Sequence, residues 1–100
     1  MSKFSSPNII IFDWNQGNLE HIKKHDVVYE ECEDVFFNDP VYFTDEKHSE
    51  KEERILAYGI TSENRLLTVV FTIRDDKIRV VSARDQNKKE REVYKLHKKS

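Results

Sequence analysis

Between Arg65 and Arg74 the chain reads RLLTVVFTIR, eight apolar or β-branched residues bracketed by arginines. Alternation sends Leu67, Val69, Phe71 and Ile73 to one side and Leu66, Thr68, Val70 and Thr72 to the other, the period of a strand. Asp75-Asp76 forms a tight hairpin turn into a partner strand over residues 77–83. Residues 54–60 read as another strand, closed by a Ser62-Glu63-Asn64 turn, and residues 41–44 as a brief extended piece. A polar, acidic loop spans residues 45–53, and the β-prone run at residues 8–12 suggests a first strand.

Elsewhere the apolar spacing switches to three and four. Asn15 can cap a helix with Leu19 and Ile22 on its buried face, ending near His25-Asp26 before the β-branched Val27-Val28. Tyr29, Cys32, Val35 and Phe36 mark a second amphipathic helix, stopped by Asn38-Asp39-Pro40. Asn87-Lys88-Lys89-Glu90 matches a capping box and opens a terminal helix reaching about His97, with Val93 and Leu96 as a narrow apolar stripe. Strands joined by short turns make an antiparallel sheet of about four strands. With two N-terminal helices and one C-terminal helix, the class is α+β.

One hundred residues make one domain, read as residues 1–100 with 1–7 flexible. Eleven aromatics at 36% charge describe a soluble globule rather than a disordered chain. No apolar run suits a bilayer or a secretory signal. The single cysteine, Cys32, fits a reducing cytoplasmic setting. The net charge of −2 hides an asymmetry. Residues 1–73 hold 7 Lys and Arg against 14 Asp and Glu, and residues 74–100 hold 10 against 5. The basic quarter suits phosphates or an acidic partner, or is a solvated helix.

Phosphoryl transfer without a metal takes a base for the attacking hydroxyl, cations for the phosphate and an acid for the leaving oxygen. Histidine suits the proton roles and arginine, with its rigid fork, the phosphate. His25 with Lys24 stands at the C-terminal end of the first helix, where the dipole favours positive charge; the bland alternative is a residue that bonds the last carbonyls. His21 and His25 have the spacing of a metal pair, but no third ligand stands at a convincing spacing, so no metal and no cofactor are expected. Arg54, Arg74, Arg79 and Arg84 lie on or beside strands, where ordinary ion pairing is the rival role. Arg79 and Arg84 have opposite parity, so an unbroken strand separates them; a bulge between them, or Arg84 beyond the strand end, removes the objection. Glu52 and Glu53 are weak candidates for a base, and Tyr94 is a candidate for stacking or for an acid or, equally, an aromatic that caps the sheet.

Three segments in order, FDWNQGNLEHIKKHDV (residues 12–27), HSEKEERILAYG (48–59) and IRVVSARDQNKKEREVY (78–94), resemble the BrnT family of bacterial toxins. The resemblance implies a RelE-like fold and a metal-independent endoribonuclease of a type II toxin–antitoxin pair, cleaving RNA and inhibiting translation. It implies a ribbon-helix-helix antitoxin as partner, with operator DNA bound only through their complex; it names no membrane partner and leaves a homodimer open. Lys24, His25, Arg54, Arg79 and Arg84 match family positions and become the expected catalytic set. Lys88, Lys89, Arg91 and Tyr94 on the terminal helix are expected to bind RNA. The first helix and last strand are expected to converge, joining His25 to Arg79 or Arg84 on one surface. Asp26 stands where the family often has glycine, a place that suits φ > 0; Asn15 replaces a frequent aspartate, and Gln86-Asn87 the usual small or hydroxyl residues. The rival reading keeps the fold without cleavage, as a module for complex assembly or operator autoregulation.

Overall fold

The long apolar run forms β3 (Leu66–Arg74), and Asp75 and Asp76, both at positive φ (53° and 62°), reverse the chain into β4 (Lys77–Asp85). Two positive-φ residues match the twist of a two-residue hairpin, and aspartate tolerates that region better than most. In this computed structural model, which describes residues 10–48 and 51–99, β1 (Val41–Thr44), β2 (Ile55–Ile60), β3 and β4 form one antiparallel sheet in sequence order. A turn of 3₁₀ helix (Glu46–His48) lies in the β1–β2 loop.

Asn15 caps α1 (Gln16–Lys23) through a capping box with Asn18, and α2 (Tyr29–Phe37) follows. Both cover one face of the sheet. Their Ile22, Cys32, Val35 and Phe36 pack with Ala57, Leu67, Val69, Phe71, Ile78, Val80 and Ala83. At about 25 cal/mol per Å² of apolar area, this layer is the principal source of stability. Gly59 permits the close approach of α2: a Cβ there would stand 2.6 Å from Val35 Cγ1. The third helix, α3 (Lys88–Lys99), begins at the capping box of Asn87 and Glu90 and crosses to the other face.

The α+β class and the four-stranded sheet are as the pattern requires. The expected first strand is not. Residues 8 and 9, like the expected flexible stretch 1–7, lie outside the described residues. Phe12 makes a single parallel bridge to Ile78, flanked by Asp13 N–H to Ile78 O and Ile78 N–H to Ile11 O, each 2.8 Å. The chain turns into α1 at Asn15, so the ladder ends as it starts.

Candidate active site

A β-bulge decides which arginines share a face. Val70 pairs with Ser82 but Phe71 pairs with Val80, leaving Val81 extra on β4. In consequence Arg84 lies opposite Thr68 and Arg79 opposite Thr72, two β3 residues of equal parity. Arg54, just before β2, has the parity of Leu56 and Tyr58, which pair with Val70 and Thr68. All three arginines belong to the face turned away from α1 and α2, the outer face. The parity objection raised by the sequence is removed by the bulge.

Arg84 is engaged there. Its Nη1 and Nη2 donate to the two oxygens of Glu90 at 2.7 and 2.9 Å. Glu90 also accepts from Thr68 Oγ1 at 3.0 Å and from the Asn87 N–H at 2.9 Å. Burial raises the Glu90 pKa, but the hydrogen bonds from Arg84, Asn87 and Thr68 outweigh it, and the carboxyl is held below its ordinary value. Arg74 pairs with Glu52 of the β1–β2 loop at 3.2 Å. By contrast, among the described residues, no hydrogen bond or ion pair holds the half-buried Arg79 side chain. Tyr58 stands beside Arg84 and Glu90, with its pKa raised mainly by burial and also by the Glu90 charge. A phenol that keeps its proton suits donation.

The terminal helix corrects two expectations. Its buried face is Glu90 and Tyr94, an i, i+4 pair, whereas Leu96 is 66% exposed. The stripe fails because the tertiary position of Glu90, clamped by Arg84, sets the rotation of the helix. Tyr94 is only 7% exposed, so it packs as core and presents no ring to a base. Lys88 and Lys89 are exposed; Arg91 spends Nη1 on Gln86 O at 2.8 Å. Further along, the His97 ring meets Phe43 edge-on at 5.3 Å, and Lys98 pairs with Asp39 at 2.9 Å.

His25 and Lys24 sit apart from the arginines. α1 ends at Lys23, and Asp26 adopts φ 56°, the conformation expected of a position where glycine is common. Arg65 binds this corner to the sheet. Its Nη1 donates to Asp26 O at 2.7 Å and Nη2 to His25 O at 3.3 Å, while Nε donates to Asp85 at 2.8 Å and Nη1 to Glu31 at 3.1 Å. Asp85 is pulled below its ordinary pKa by the Arg65 hydrogen bond first, then by the Arg65 and His25 charges. Since Asp85 pairs with Leu67 of the core, His25 lies on the covered side of the sheet. Arg79 and Arg84 project from the other side. The first helix does pack against β4, as expected, but this does not join His25 to the arginines on one face: the bulge that unites the arginines also turns them from α1.

Glu90 and Thr68 escaped the sequence reading as site residues because the capping box accounts for Glu90 on its own. Arg65 escaped because its partners are 20 to 40 positions away in the chain. Cys32 is fully buried and its thiol is pushed up to about 12, chiefly by burial, so it stays protonated and unreactive. No helix among the described residues is long and apolar enough to cross a membrane. Compared with known families, residues 14–90 match the model described as "Ribonuclease toxin, BrnT, of type II toxin-antitoxin system". No curated protein matches the chain.

Proposed function

The chain belongs to the BrnT family of ribonuclease toxins of type II toxin–antitoxin systems, and on that premise we propose that it cleaves RNA on the outer sheet face without a metal. The observation that carries this reading is the Val81 bulge, which gathers Arg79 and Arg84 on the face of Arg54. Guanidinium groups on a rigid sheet can hold a phosphate as it becomes crowded in the transition state. The 2′-oxygen bonds to phosphorus as its proton passes to a base, the bond to the 5′-oxygen breaks, and that oxygen takes a proton from an acid. Tyr58, paired with Thr68 and within electrostatic reach of Arg84, serves as that acid. His25 and Lys24 meet the RNA where it leaves the sheet past the end of β4, and Lys88, Lys89 and Arg91 extend the basic track along α3.

In the cell this activity would inhibit translation in the cytoplasm, with a ribbon-helix-helix antitoxin neutralising it and operator DNA bound only through the complex. The fold would be of the RelE type. Purified protein incubated with total RNA in excess chelator should produce defined fragments, and expression without antitoxin should arrest growth. Arg79→Ala should abolish both while the protein stays folded; His25→Ala should weaken both if the RNA runs past the end of β4. Intact RNA and normal growth with folded wild-type protein would sink the reading. The rival, a non-catalytic module in complex assembly or autoregulation, draws support from the Arg84–Glu90 pairing, which neutralises one of the three arginines.

A further inference from the structure

Two cross-strand pairs of the same composition lie on the outer face, four residues apart along β3: Thr68 with Arg84, and Thr72 with Arg79. The first pair grips an anion. Thr68 Oγ1 donates to Glu90 at 3.0 Å, and the Arg84 fork closes on the same carboxylate. The second pair has the same two groups, yet no carboxylate of the described residues engages them. Thr72 is 2% exposed, and its hydroxyl has no hydrogen-bond partner among the described residues. An unsatisfied buried hydroxyl forfeits its hydration without a replacement bond, so a native protein that keeps one calls for an explanation. Valine has nearly the same shape and would avoid the cost.

We propose that Thr72 and Arg79 form a second anion subsite of the same design, taking a phosphate of the RNA backbone where the first takes Glu90. The Thr72 hydroxyl donates to a non-bridging oxygen and the Arg79 fork binds the phosphate. The Arg79 side chain, long and held by no partner among the described residues, moves aside to admit it. This assignment rests on the RNA-cleaving reading above, and the experiment separates the two.

The test uses Thr72→Val and Thr72→Ser in the full chain, with three measurements: thermal midpoint, anisotropy titration of a non-cleavable 2′-O-methyl RNA oligonucleotide, and an NMR titration with inorganic phosphate. Thr72→Val should melt at the same temperature as wild type or higher, and bind the RNA about tenfold more weakly, the expected loss of one hydrogen bond to a charged group. Thr72→Ser should restore binding. Phosphate should shift the Thr72 and Arg79 amides in wild type and not in Thr72→Val. A valine variant that melts lower would mean the hydroxyl already has a structural partner, and unchanged RNA and phosphate binding would mean it meets no anion; either overturns the subsite. If wild type leaves RNA uncleaved while the phosphate shifts and their loss in Thr72→Val persist, the ribonuclease reading fails and the anion subsite stands.

Discussion

Arg84 and Glu90 face each other fork to fork across the junction of β4 and α3, with both terminal nitrogens within 2.9 Å of the carboxylate. The carboxylate is nearly buried and the guanidinium about a third exposed. The pair thus lies between a surface bridge, worth little, and a buried one, where removing one partner is costly. Glu90→Gln should lower stability at neutral pH by about 1–3 kcal/mol, because Arg84 keeps its charge and loses its anion. The Glu90 pKa is depressed in the folded state, so its contribution is present above the unfolded value of 4.5 and disappears as pH falls through the folded one. Denaturant titrations of both proteins across the acid range should show the difference closing with acidification. A gap independent of pH would mean that packing, and not the carboxylate charge, is responsible.

The corner that presents His25 depends on Arg65, which serves two carboxylates and two carbonyls at once. Lysine cannot reproduce this, having no planar fork. Arg65→Lys should cost about 1–2 kcal/mol, more than an isolated surface pair, and should shift the amide signals of His25 and Asp26. If Arg65→Lys leaves the His25 amide in place, the α1–α2 corner is held by Val27 and its core packing alone.

What the sequence disclosed, and what it hid, divides by range. The Asn15 and Asn87 caps and the Asp75-Asp76 hairpin were legible, because each is decided by residues within a turn of one another, whereas the positive φ of Asp26 was legible only through the glycine common there in the family it resembles. The α3 rotation was misread because Leu96 is apolar and Glu90 charged, and a tertiary clamp reverses what those polarities suggest. The bulge was a stated condition but not a reading: nothing in Arg79-Val80-Val81-Ser82 distinguishes the extra residue, which only pairing with β3 reveals. Hence the arginines were legible as a set, and their separation from His25 was not.

Arg79 offers the cleanest separation of function from stability. Since no partner among the described residues holds it, Arg79→Ala should change the unfolding free energy by no more than about 0.5 kcal/mol. If it meets one phosphate, the slope of log affinity against log salt for single-stranded RNA should shrink by about 0.7. Arg74→Ala, which breaks the exposed pair with Glu52, is the control and should leave that slope closer to wild type. Equal slopes for wild type and Arg79→Ala would remove Arg79 from the RNA path.

The terminal helix tests how far its basic surface can be separated from the core. Tyr94 and Glu90 are buried, and Lys98 ties the far end to Asp39 between α2 and β1. Deleting the chain after Asn87 would strip Thr68 of its acceptor, leave Arg84 without its anion and expose the sheet beneath Tyr94. Truncation should therefore destabilise the whole domain rather than leave an intact sheet, and Tyr94→Ala alone should cost about 2–4 kcal/mol. Lys88→Ala with Lys89→Ala, both exposed, should instead preserve stability and weaken RNA binding. Urea unfolding of the three proteins, paired with RNA titrations, decides between these roles. A truncated chain that unfolds with the midpoint and cooperativity of wild type would show that α3 is an appendage, and the Arg84–Glu90 clamp energetically idle.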